Sequence, residues 1–178
     1  VACGLSEVLE QTGMGLNFGG SSTATWQVED ISVGGIRCIL PTSEANGVVI
    51  GLLVGIKPEK QEGWGVGIVR RLNRDLRNSL HVGVEMLARQ AVGVALADGG
   101  SGEELHAVWL DSPGGDTGRV ALLMGPDVFS NSRSLHAQVG GRKYLLMPLR
   151  VVEKGVDYEL VRYRKMEEDA ATDEEGVA

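Results

Sequence analysis

Several things are scarce in this chain of 178 residues, and each scarcity removes a class of protein. There are only two cysteines, Cys3 and Cys38, 35 positions apart and outside any CxxC pair. That rules out a disulfide-dense scaffold and a cysteine-based zinc centre. They read as free thiols in a reducing, cytoplasmic compartment, although sequence alone leaves a bridge between them open. No apolar run approaches the roughly 18 residues needed to cross a bilayer, and no secretory leader is visible. The first residue is Val1 rather than Met, so the sequence reads as a piece of a longer protein.

A basic excess is also missing. The chain has 17 Lys and Arg against 24 Asp and Glu. Six of those acids, and no base, fall in the last twelve residues, Glu167 to Ala178, leaving 18 acids against 17 bases in the body. The acidity therefore belongs to a tail at 167–178, expected to be disordered and solvated. A nearly neutral body argues against nonspecific binding to DNA or RNA.

Catalytic motifs are missing as well. No GxxxxGK[ST] loop occurs, and no serine sits in a GxSxG elbow. GMGLNFGG, 13–20, is rich in glycine but lacks the strand–turn–helix setting of a dinucleotide site. His81, His106 and His136 have neither a helical HxxxH partner nor an adjacent cysteine, so no metal site is expected. Glu103 and Glu104 stand beside turn glycines and read as solvated. No constellation of residues points to an enzyme, and no cofactor is implied.

What the chain does have is glycine, 26 residues, spread among short apolar runs. Trp26, Val28 and Asp30 alternate with Gln27 and Glu29. Ile36, Cys38 and Leu40 share one face up to Pro41. Val48, Ile50, Leu52, Val54 and Ile56 take every second position up to Pro58. Trp64, Val66 and Ile68, then Leu80, Val82, Val84 and Met86, repeat the pattern. Period two over successive runs predicts strands, and glycines on the opposite face predict tight bending. Residues 1–22 read less clearly. VACGL suits a strand, whereas Leu5, Val8 and Leu9 have helical spacing over too short a stretch to decide. Further candidate strands are 105–110, 119–124, 135–139, 144–152 and 157–163, separated by the turn clusters GGSG at 99–102 and SPGGDTG at 112–118. The expected architecture is all-β: a first unit over 1–90, a second small antiparallel barrel over 91–166, and the tail.

One short run carries chemistry. In Glu29-Asp30-Ile31-Ser32-Val33-Gly34-Gly35-Ile36 a strand ends, a carboxylate and a hydroxyl appear two residues apart, and the chain turns on two glycines. Read by itself it is a hairpin with a side-chain-stabilised turn. The pattern D-x-S-x-x-G at Asp30, Ser32 and Gly35 also resembles the second signature of PilZ domains. The segments that follow resemble that family in order: GVVIGLLVGIKPE, then WGVGIVRRL, then LHVGVEML. The resemblance covers about residues 23–90.

The resemblance implies a six-stranded β-barrel that binds cyclic di-GMP on its outer face, within a bacterial signalling module that relays the bound state to a protein partner. Asp30 would accept hydrogen bonds from a guanine edge, Ser32 would hold a base edge or a phosphate, and Gly34 and Gly35 would let backbone and ligand come close. The family's RxxxR arm, which precedes the first barrel strand, has no counterpart here, since no arginine occurs before Arg37. Either the sequence starts downstream of that arm, or the domain is a PilZ-like protein-interaction module that does not bind the nucleotide. Arg70-Arg71-Leu72-Asn73-Arg74 reads RxxxR but comes too late in the chain to be the arm. It reads first as the solvated base of a loop, with Arg70, Arg71 and Arg37 as further candidates for phosphate contact. Trp26, Trp64 and Trp109 read as core or barrel plugs before stacking platforms.

Overall fold

A computed structural model describes residues 1–13, 24–110 and 118–168. Among the described residues the fold is all-β, with one short α-helix and a 3-10 turn at Thr42–Glu44. The N-terminus forms a two-residue strand β1 (Ala2–Cys3) and runs directly into helix α1 (Gly4–Gln11). The helical reading of Leu5 and Val8 is the correct one, and both side chains are buried. Strands β2 (Gln27–Ile31), β3 (Gly35–Leu40), β4 (Leu53–Ile56), β5 (Trp64–Arg74) and β6 (Leu80–Asp98) follow. The second half supplies β7 (Glu104–Leu110), β8 (Arg119–Met124), β9 (Leu135–Val139), β10 (Arg142–Lys154) and β11 (Glu159–Glu167).

The strand expected from Val48 to Ile56 is shorter than its alternation suggests. Only Leu53–Ile56 is strand. Gly47 and Gly51 hold φ of +80° and +90°, a left-handed backbone that breaks the extended run. Val49 and Ile50 lie exposed between them.

All eleven strands hydrogen-bond into one sheet, and every pairing is antiparallel. Its organising element is β6, 19 residues long. Its first part pairs with β3 and β5, and its second part with β7 and β9. Ala91 lies between Trp64 on one side and Leu110 on the other, so residue 90 falls inside a strand that both halves share. The second half closes a hydrogen-bonded ring through β6, β7, β8, β11, β10 and β9. In the first half the order is β1-β4-β5-β6-β3-β2. Its two ends meet where the Val1 amine donates to the Ala24 carbonyl at 2.7 Å and the Ala24 amide returns a bond to Val1 at 3.1 Å.

Three apolar clusters fill this arrangement. One lies inside the first half, around Leu40, Val54, Val69 and Val82. One fills the ring, around Leu96, Leu122, Leu135, Leu146 and Tyr163. The third joins the halves: Leu5 and Val8 of α1 with Leu53 and Ile68 meet Val108, Leu123, Tyr158 and Leu160. Polar links reinforce that joint. The Leu5 amide donates to Asp157 Oδ2 at 2.8 Å, and Tyr158 Oη donates to the Gly51 carbonyl at 3.3 Å. Of the acidic tail, Glu167 closes β11 and the Glu168 amide donates to the Lys143 carbonyl at 2.8 Å; residues 169–178 lie outside the described residues.

Candidate functional site: a rung of charged residues across four strands

The hairpin between β2 and β3 turns through Val33 and Gly34, with the Ser32 amide bonded to the Gly35 carbonyl at 2.8 Å. The Ser32 hydroxyl donates to the same carbonyl at 3.2 Å. The Gly34 carbonyl accepts the Met86 amide at 3.0 Å, which fastens the turn onto β6. Gly35 is needed for closeness. A Cβ there would stand 2.7 Å from the Val84 carbonyl oxygen, below any ordinary contact.

Antiparallel register then lines up one rung across four strands. Asp30 of β2 lies opposite Arg37 of β3, Arg37 opposite Gly83 of β6, and Gly83 opposite Arg71 of β5. Directly opposed residues share a face. Gly83 contributes no side chain, so the two arginines flank a bare stretch of backbone. Arg71 leans over it, its Cβ 3.2 Å from where a Gly83 Cβ would be.

Strict alternation would send Arg70 and Arg71 to opposite faces. A register shift between Val69 and Arg71 marks a bulge at Arg70. Bulges re-aim side chains, and both arginines line the same groove. The groove has a volume of about 410 Å³ and is walled by Asp30, Ser32, Gly34, Gly35, Arg37, Arg70 and Arg71, with Ile36, Gly83, Val84 and Glu85 completing it. All seven residues singled out in the sequence meet there. Arg74, the last position of the late RxxxR pattern, does not. It turns away to the Asn78 carbonyl at 3.2 Å.

The electrostatics are those of partly satisfied cations. Asp30 and Arg37 form a loose, exposed pair at 4.0 Å. Arg70 is held on two sides. Its Nε donates to Glu85 Oε2 at 2.8 Å, and its Nη1 and Nη2 donate to the two oxygens of Glu153 at 2.6 and 2.7 Å. The bidentate hydrogen bonds to Glu153 raise the guanidinium pKa further, and the same bonds hold the Glu153 carboxyl below its usual range. Three guanidiniums and two carboxylates face the groove, with Glu153 gripping Arg70 from β10.

The sequence reading missed Glu85 and Glu153. Glu85 had a signal, since it stands in the LHVGVEML segment, directly opposite Gly35. Glu153 had none, because it reaches Arg70 across 83 positions.

The tryptophans stand apart from the groove. Trp26 and Trp109 are buried in the first-half and ring clusters, and half-buried Trp64 packs at the joint. Trp26 and Trp64 also border a cleft of about 980 Å³ that shares only Ile36 with the groove. The histidines each meet carboxylates: His81 with Glu29 and Asp75, His106 with Glu104, His136 with Glu168. No cluster of three metal-ligating side chains occurs among the described residues. Both cysteines are free thiols. Among the described residues no helix is long and apolar enough to cross a membrane.

Fold and groove together define a small all-β protein with a charged, open groove on the outer face of one half. Comparison with protein-family models, curated proteins and solved structures finds no match.

Proposed function

We propose that this chain is a non-catalytic binding module whose groove takes cyclic di-GMP and whose second half reads the occupied state. The observation that carries the reading is convergence. Seven residues from two separated segments of sequence, the hairpin ones named by the PilZ resemblance and Arg37, Arg70 and Arg71 as further candidates for phosphate contact, line one groove. Its volume of about 410 Å³ falls in the ordinary range of small-molecule sites, about 300–1,000 Å³. Arginine forks suit phosphates and the O6/N7 edge of guanine, and the Asp30 carboxylate suits a guanine N–H edge. The groove's one hydroxyl, on Ser32, donates to the Gly35 carbonyl, and its lining holds no histidine or cysteine, which favours binding over covalent chemistry.

Relay follows from the grip on Arg70. A phosphate competes with Glu153 for the same guanidinium. The bound state therefore favours arrangements in which β10 is released, a shift of population rather than a new bond. The test is binding of fluorescent cyclic di-GMP, followed by anisotropy. The reading expects saturable binding that weakens about tenfold or more in Asp30→Ala and Ser32→Ala, the size of one or two charge-assisted hydrogen bonds. Equal binding by both variants and the unaltered chain would remove the groove from the account.

A second reading keeps the groove but not the nucleotide. Arg70 is already committed to two carboxylates, as in a structural ion-pair network, and the family's arginine arm is absent from this sequence. On that reading the module is a PilZ-like scaffold for a protein partner.

A further inference from the structure

Val161 and Tyr163 of β11 point into the ring, so Leu160, Arg162, Arg164 and Met166 point out. Leu160 is covered by the apolar joint between the halves. Past that cover the face is open. Arg164 lies opposite Arg119 of β8 on one side and Met147 of β10 on the other. One step along, Arg162 lies opposite Ala121 and Arg150. Four arginines thus occupy two adjacent rungs of three neighbouring strands. Like charges placed directly opposite repel. No ion pair to Arg150, Arg162 or Arg164 occurs among the described residues. Exposed Met147, Leu149, Val152 and Met166 border the patch.

A patch so charged fits an acidic segment, and the chain carries one. Residues 169–178 include Asp169, Asp173, Glu174 and Glu175 and no base. The last described residue, Glu168, stands at the end of the same face, its amide fixed to the Lys143 carbonyl. Ten extended residues reach about 33 Å. Arg164 lies four residues back along β11, about 13 Å, and Arg162 about 20 Å. Single exposed ion pairs are weak and salt-screened. Tethering offsets that weakness, because a short linker gives an effective concentration on the order of millimolar. We infer that the acidic segment 169–178 docks in cis across the arginine face formed by Arg150, Arg162 and Arg164. The patch is then guarded by the chain's own tail, and any acidic partner must displace it.

The test uses the full chain. A tail-neutral variant carries Asp169→Asn, Asp173→Asn, Glu174→Gln and Glu175→Gln, changes outside every described strand. A fluorescent peptide of residues 167–178 serves as ligand, followed by anisotropy at low salt. The inference expects saturable binding to the tail-neutral chain, about tenfold weaker binding to the unaltered chain, and loss of binding at high salt. Adding Arg162→Gln and Arg164→Gln to the tail-neutral chain abolishes binding while circular dichroism stays unchanged. Equal peptide binding by unaltered and tail-neutral chains overturns cis docking, as does binding indifferent to the two arginines. No binding to the tail-neutral chain overturns it too. Tail-dependent self-association in sedimentation would assign the tail to a second copy and equally contradict it.

Discussion

The Arg70 guanidinium and the Glu153 carboxylate meet fork to fork, at 2.6 and 2.7 Å. One partner sits on the bulge of β5 that lines the groove, and the other on β10 of the ring. The pair is therefore a direct polar link between the proposed ligand and the second half. About a third of each side chain remains exposed, so its contribution to stability is modest.

Breaking that link from the far side separates its two roles. Glu153→Gln keeps the shape and removes the charge that competes for Arg70. Calorimetric titration should show nucleotide affinity raised about threefold to tenfold, while urea denaturation shows stability lowered by about 1 kcal/mol or less. Lower or unchanged affinity would mean that Arg70 serves only the joint.

Gly34 and Gly35 are adjacent in sequence and opposite in tolerance. A Cβ on Gly35 meets the Val84 carbonyl at 2.7 Å, whereas one on Gly34 meets nothing within 4 Å. Neither has a positive φ, so sterics alone decide. Gly35→Ala is expected to cost about 1–3 kcal/mol in urea denaturation, and Gly34→Ala less than about 0.5 kcal/mol. Equal costs would contradict the close-approach account of the turn.

His81 gives the fold a pH dependence. Nδ1 faces Glu29 of β2 at 2.9 Å, and Nε2 faces Asp75 at 3.0 Å. Only the imidazolium donates to both. The hydrogen bond to Asp75 first, and that to Glu29 second, raise the imidazole pKa above 6.5; the bond from His81 lowers that of Asp75 below 3.8. A pKa raised on folding contributes stability in full below the unfolded value and loses it as pH rises through the folded one. Asp75 has the opposite sign, contributing above 3.8 and fading as pH falls through its folded value. Denaturation midpoints should therefore decline as pH rises above 6.5, and His81→Gln should flatten that decline. An unchanged slope in the variant would assign the effect to other groups.

The thiols should differ in reactivity. Burial pushes Cys38 up to about 11, and half-buried Cys3 is also raised, first by burial and then by Glu7. At neutral pH a disulfide reagent should label Cys3 first and Cys38 only as fast as the chain unfolds. Rapid labelling of both would place Cys38 nearer solvent.

Much of this was legible in the sequence because strands advertise themselves with period two. The β3, β5 and β6 runs start where alternation puts them, and the five strands of the second half lie near their expected places, with β10 running over Arg142–Lys154 rather than 144–152 and β11 over Glu159–Glu167 rather than 157–163. Positive-φ glycines interrupt the Val48–Ile56 run, and alternation does not register a backbone turn of that kind. The continuity of β6 through residue 90 was hidden, since Ala88 to Ala95 mixes buried and exposed positions where the strand changes partners. At the site, local chemistry read as a side-chain-stabilised hairpin turn, and the D-x-S-x-x-G resemblance named its residues. That Arg70 and Arg71 share its groove depends on a bulge, and that Glu153 holds Arg70 depends on how distant strands are registered. Neither leaves a local trace.

The most direct measurement is amide chemical-shift mapping of the isotopically labelled chain as cyclic di-GMP is added. The proposed function requires saturable shifts at Asp30 to Arg37, Arg70, Arg71 and Gly83 to Glu85, with a second set around Glu153 on β10. Shifts confined to other surfaces, or none at millimolar nucleotide, would contradict it and leave the groove to a protein partner.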